Sequence, residues 1–298
     1  MRLVTFKKDG ADAIGALDLE TRTIIDFSKA APDLPATMLG LIELGNSGLV
    51  EAEKAVKSAN NNALIRLVDV MLKAPIPVPR RDVIAVGRNY HDHAKEFHNS
   101  GFDATAGATA VPDDPIIFTK ATTSVSGPFD PIPSYLDYSN STDYEGELAV
   151  IIGKQGRGIS KADAFDYVYG YSISNDVTAR SLQHQHKQWF IGKSLDGFCP
   201  MGPALLTTDE AGHPDTFHLK TEVNGEARQD SSCSALIFDI PTLIKTISAG
   251  ITLLPGDIII TGTPLGVGIG FDPPLFLKSG DVVRVTIDPI GTIENTVE

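Results

Sequence analysis

Three carboxylates at the ends of apolar runs are the residues of this chain best placed to do chemistry. Glu145 and Glu147 open the stretch "EGELAVIIG". Alternate residues of a strand share a face, so both side chains project to one side, next to Ala149 and Ile151. The run that follows is apolar on both faces, as in a strand covered from both sides. Two like charges in such a setting require a cation, a shared proton or water. Asp176 ends a second apolar run, "VYGYSISND", and is followed by Thr178 and Arg180. It also suits the N-cap of a helix starting at Val177, and the two roles are compatible. Three carboxylates without a nearby His or Cys favour a hard cation, Mg²⁺ first, with Mn²⁺ or Ca²⁺ as alternatives and Zn²⁺ disfavoured.

A second constellation lies in "GRNYHDHAKEF", residues 87–97. His93 and Glu96 stand three apart, on one face of a helix. A carboxylate that holds one imidazole nitrogen fixes the tautomer and raises the basicity of the ring, as a general base requires. His91 and His98 flank the pair, so spacing alone does not single out the base. Lys193 follows the apolar "QWFIG" and either snorkels to solvent or enters a site to hold a carboxylate or oxyanion. Arg88, Lys120 and Arg180 are further anion-holding candidates. "GDIIITGTPLGVGIG" joins a buried strand to a glycine-rich turn containing Thr263, whose backbone N–H groups suit a carboxylate or carbonyl oxygen. Its G-x-G-x-G pattern is not followed by a helical one, and no GK[ST] is present, which argues against a nucleotide site. G-x-S-x-G, HExxH and zinc-type clusters are all missing.

These residues need elements to carry them. The first 75 or so residues read as a small unit: β-like "RLVTF", "AIGAL" and "TIIDF", then helical patterns in "ATMLGLIELG", "GLVEAEKAVKSA" and "NALIRLVDVMLK". "APIPVPRRD" breaks the pattern, so we place a boundary between Ala74 and Arg80, giving a small N-terminal domain over 1–75 and a catalytic domain over 76–298. Beyond it β-type runs dominate, with few short helices, which predicts a β-rich α+β fold rather than a doubly wound parallel sheet. "HNSGFDATAGATAVPDD" has little to bury and reads as a loop.

The bulk numbers narrow the function. Net charge is −13 with pI near 4.9, which argues against nucleic acid as a partner. The same charge repels an anionic small substrate, so a local cation is needed if the substrate is an acid. No apolar run approaches a membrane span, and the N-terminal residues lack the apolar core of a signal peptide; a cytoplasmic protein is the expectation. Two cysteines, Cys199 and Cys233, cannot form a disulfide framework.

Taken in order, "GRNYHDHAKE", "PIIFTKATTSVSGP", "DYEGELAVIIGK", "YGYSISNDVTARSLQ", "QWFIGKSLDGFCPMGP" and "LLPGDIIITGTPLGVG" resemble the fumarylacetoacetate hydrolase family, over roughly Val83 to Ile287. The resemblance implies a mixed β-roll catalytic domain, a homodimer, and a divalent metal, Mg²⁺ or Mn²⁺, on Glu145, Glu147 and Asp176. It implies a catalytic His93–Glu96 pair, Lys193 lining the metal and substrate site, and Arg88, Gln183 and Thr263 touching substrate. It also makes the loop between Phe97 and Pro115 a lid, and the lid and the N-terminal domain the lining for a substituent. The additional aspartate ligand of the founding enzyme has no equivalent near "GRNY", which favours the acylpyruvate branch. The expected reaction is therefore metal-dependent hydrolysis of a C–C bond in a small anionic β-diketo acid, giving pyruvate or a substituted pyruvate and a carboxylic acid. The alternative on the same site is oxaloacetate decarboxylation or keto–enol tautomerisation.

Overall fold

The computed structural model describes residues 1–103 and 109–298. Its frame is one large sheet that runs from the N-terminal strands through the strands that carry the carboxylates. In spatial order it comprises Leu64–Arg66, Thr23–Asp26, Ala11–Asp18, Arg2–Lys8, Cys199–Thr207, Val168–Asn175, Gly146–Ile152, Ile258–Ile260, Val83–Gly87 and Ile116–Lys120. Neighbours along this path are antiparallel, apart from the parallel pair Ile258–Ile260 and Val83–Gly87. A separate antiparallel sheet is ordered Glu226–Ser232, His218–Val223, Val282–Asp288, Gly291–Thr296. The result is the strand-rich α+β architecture that the run of β-type segments predicts.

The strand Gly146–Ile152 is buried along its whole length. Leu148, Val150 and Ile152 enter a core shared with Leu219, Val283 and Val285 of the second sheet. On the other face Ala149 and Ile151 pack in a cluster with Met38, Leu41, Ala52 and Ala55, supplied by the helices Met38–Glu43 and Gly45–Ser58. Covering on both sides explains the unbroken apolar run, and it leaves Glu145 and Glu147 buried.

The first 75 residues are tied to the rest by strand pairing: Arg2 and Leu3 lie opposite Leu206 and Leu205. One sequence expectation fails there. "NALIRLVDVMLK" forms no α-helix but two short strands, Leu64–Arg66 and Met71–Leu72, around a 3₁₀ turn. Ile65 pairs with Ile24 and Leu72 with Phe6, so cross-strand burial of these two outweighs the helical periodicity and leaves Val68 and Met71 exposed. Among the described residues no helix is long and apolar enough to cross a membrane.

Candidate active site

Glu145, Glu147 and Asp176 converge. One oxygen from each lies within 4.8 Å of the others, and all three residues are buried. Asp176 follows directly on the strand Val168–Asn175, which pairs with Gly146–Ile152 so that Gly146 faces Asn175. The Asp176 N–H donates to the Glu145 carbonyl at 2.8 Å, and this adjacency brings carboxylates from two strand ends together. The helix beyond Asp176 begins at Arg180 rather than at Val177, so the N-cap role is not the one taken.

Three cations meet these carboxylates. Lys193 Nζ donates to Glu145 Oε2 at 2.7 Å and Asp176 Oδ2 at 2.6 Å. Lys120 Nζ, fully buried, donates to Asp176 Oδ1 at 2.6 Å and to the carbonyls of Val177 and Lys193. Arg180 sits between Glu145 Oε1 at 2.7 Å and Asp143 Oδ2 at 2.9 Å. Glu147 is the odd one out. It accepts the Gly262 N–H at 2.7 Å, and among the described residues it forms no ion pair. Burial raises its pKa well above the ordinary carboxylate range, and the charges of Asp176 and Glu145 add to the rise. Glu145 is held below that range, because Lys193 and Arg180 outweigh its burial. Although burial opposes it, the carboxylates of Asp176 and Glu145 hold the Lys193 ammonium above its usual value.

This donor set fits a hard divalent cation. Its oxygens are buried and mutually close, and one carboxylate lacks a positive partner, a deficit that a bound ion would remove.

His93 and Glu96 lie on the helix His91–Asn99, with His93 Nδ1 2.9 Å from Glu96 Oε2. The other carboxylate oxygen accepts the Gly266 N–H at 3.1 Å, and a Cβ at Gly270 would fall 1.9 Å from it. The glycine-rich turn therefore grips Glu96 as well as Glu147. With Nδ1 engaged, Nε2 is the ring nitrogen left for proton transfer.

One cavity gathers most of the residues singled out in the sequence: Arg88, His93, Glu145, Glu147, Gln183, Lys193 and Thr263 line it, with Arg180, whereas Glu96 and Asp176 do not. Thr263 donates to the Gly146 carbonyl at 2.9 Å and accepts from Gln229 Nε2 at 2.7 Å. Gln183 accepts from Arg180 at 3.3 Å. Arg88, at a left-handed φ of 54°, donates to Asp103 at 3.0 Å. Of the expected lid between Phe97 and Pro115, residues 104–108 lie outside the described residues.

Lys120, one of the anion-holding candidates, does not line the cavity but holds Asp176. Two features escape a reading of the sequence alone. Asp143, fully buried, accepts from Arg180 and from the N–H groups of Gly268 and Ile269 at 2.7 and 3.1 Å. Its signal was the period-two spacing that links it to Glu145 and Glu147. The rest of the wall is apolar, from Val86, Phe97, Phe118 and Trp189, and none of the lining comes from the first 75 residues.

Fold and site define a class: a strand-rich α+β protein with a buried acidic triad, able to hold a divalent ion, beside a small cavity bearing a His–Glu pair. Residues 82–298 match the family described as fumarylacetoacetate (FAA) hydrolase C-terminal. The chain belongs to that family, whose members are enzymes. It is 45% identical over 293 residues to oxaloacetate tautomerase YisK of Bacillus subtilis (strain 168), covering 94% of this chain and 95% of that protein. It is 40% identical over 301 residues to oxaloacetate tautomerase fahd2, mitochondrial, of Xenopus laevis, covering 100% of this chain and 90% of that protein. Among solved structures it is similar to maleylpyruvate hydrolase from Sphingobium sp. SYK-6 in complex with manganese (II) ion and pyruvate. That match has a TM-score of 0.78 and 32% identity, covering 100% of this chain and 98% of that one.

Proposed function

We propose that this protein is an oxaloacetate tautomerase that uses a divalent cation, Mg²⁺ in the first instance, to interconvert the keto and enol forms. The alternative drawn from the sequence thus becomes the principal function. The observation that carries it is the opening of His93, held by Glu96, onto the same cavity as Glu145, Glu147 and Lys193. The two tautomerase relatives support the same choice.

Glu145, Glu147 and Asp176 would hold the cation, which when bound supplies positive charge for a 2-oxo acid and acidifies the C–H beside the oxo group. The chain's own groups do the rest. His93 Nε2, with Nδ1 held by Glu96, removes the proton from C3, and a proton is returned at the C2 oxygen; the reverse sequence converts enol to ketone. Nothing is consumed, and one proton changes place. The Lys193 ammonium stabilises negative charge developing on the C2 oxygen. Arg88 binds the distal carboxylate in exchange for Asp103, and Gln183 and Thr263 orient the substrate. Arg88 and Lys193, with the cation when it is bound, would offer positive charge to a small anionic substrate within an acidic protein. We propose the dimer as the working assembly, on the strength of the family resemblance.

Hydrolysis of a C–C bond in a β-diketo acid is the second reading, favoured by the same His–Glu pair, which equally suits deprotonating water. Stopped-flow decay of enol-oxaloacetate absorbance, with Mg²⁺ and with EDTA, tests the first. We expect metal-dependent acceleration that falls about 10²–10⁴-fold in His93→Ala. Decay no faster than in buffer, with pyruvate released from acetylpyruvate instead, would establish the hydrolase.

A further inference from the structure

The cavity has a second side that the proton chemistry does not use. Trp189 immediately precedes the short helix Phe190–Lys193, and the Lys193 N–H donates to the Trp189 carbonyl at 3.0 Å. One turn of chain therefore delivers both an ammonium and an indole to the cavity. The indole is 7% exposed and stands edge-on to Phe97 and Phe118, with ring centroids 5.8 and 5.2 Å apart. Lys193 Nζ lies 5.3 Å from the Phe118 ring centroid. The aromatic group thus abuts the charged one.

The indole is seated against Gly87. A Cβ there would lie 2.1 and 2.6 Å from two of its ring carbons, so Gly87 is required for the ring's position. Gly87 and Trp189 both line the cavity, and behind them Val267 and Ile269 complete an apolar cluster. The ring thus occupies space beside the charged groups.

We propose that Trp189 is the residue that determines substrate length, confining the cavity to 2-oxo acids of about four carbons. The inference rests on the assignment of the cavity to 2-oxo acids made above. It goes further in stating that an apolar chain is excluded by a single ring rather than by a lack of charge complementarity. A purely structural tryptophan would alter stability without changing chain-length preference.

The test is calorimetric binding to the Mg²⁺-loaded full chain of 2-oxobutyrate and 2-oxooctanoate, which have no β-carbonyl for the site to cleave. Wild type should bind the shorter acid more tightly. One methylene in an apolar pocket is worth roughly tenfold or more, so in Trp189→Ala the ratio of affinities should move by at least about tenfold toward the longer acid. Trp189→Leu should fall between the two and supplies the answer if the alanine variant does not fold. A ratio within about threefold of wild type in a folded variant overturns the proposal, as does equal binding of both acids by wild type. Because the readout is binding, it is separable from turnover. Length discrimination lost in Trp189→Ala, with no acceleration of enol decay by wild type, would defeat the tautomerase assignment alone. Rapid tautomerisation with an unmoved ratio would defeat this proposal alone. Trp189 is the chain's only tryptophan, so a change in wild-type emission on adding oxaloacetate should report ligand arrival at this wall.

Discussion

The two walls of the cavity are held together by opposite physics. On one, the lining groups Glu145, Glu147, Arg180 and Lys193 share a buried interior with Asp143, Asp176 and Lys120, which do not line the cavity, and each of the three cations bridges two groups or more. On the other, Phe97, Phe118 and Trp189 meet edge to face around a glycine. Desolvating charges is costly, and only near-complete pairing offsets it. Aromatic burial is favourable from the outset. The difference teaches where function lies: the charged wall leaves one member, Glu147, without a cation, while the aromatic wall has no such gap.

The largest effect should come from removing one cation from the charged wall. Lys120→Met leaves Asp176 short of a partner, and loss of one member of a buried pair costs about 3–5 kcal/mol; denaturant unfolding of the metal-free protein measures it. A loss below about 1 kcal/mol would mean that the two walls are not so different.

Metal binding comes next. A site filled at 100 times its Kd stabilises by about 2.7 kcal/mol, read as the rise in Tm on adding Mg²⁺ or Mn²⁺. Because Glu147 has a raised pKa, it holds a proton in the metal-free protein that the ion must displace. Affinity should therefore rise with pH. In the metal-free state Glu147 keeps its proton to higher pH in the folded chain than in the unfolded one, where the carboxyl titrates near its ordinary 4.5. Its contribution to stability should accordingly fall as pH climbs from there through the folded pKa. Glu147→Gln should abolish both the metal-induced rise in Tm and that slope, and a variant that keeps either would remove Glu147 from the site.

The smallest effect belongs to the aromatic wall. Phe118→Leu replaces one apolar group by another of similar bulk, and we expect a loss of about 1 kcal/mol, with metal affinity unaltered in a direct titration. A loss as large as that of Lys120→Met would erase the contrast.

Local patterns made much of this legible in the sequence. Period-two spacing paired Glu145 with Glu147, an i,i+3 spacing paired His93 with Glu96, and the density of β-type runs gave the strand-rich fold. What stayed hidden depends on contacts distant in sequence. The Lys120–Asp176 bond spans 56 residues, and the bond from Gly262 to Glu147 spans 115. Neither follows from any periodicity. The segment "NALIRLVDVMLK" misleads for the same reason, since the residues it pairs with in Thr23–Asp26 and Arg2–Lys8 lie 39 or more positions upstream.

The pairing of Arg2 and Leu3 with Leu206 and Leu205 also bears on how this protein can be taken apart. The family match begins at residue 82, which invites a shortened version that starts there. Such a fragment would uncover Leu205 and Leu206 and leave that end of Cys199–Thr207 as an open, hydrophobic sheet edge ready to pair with a neighbouring chain. The minimal chain that stays dispersed should therefore be longer than the minimal chain that holds the site.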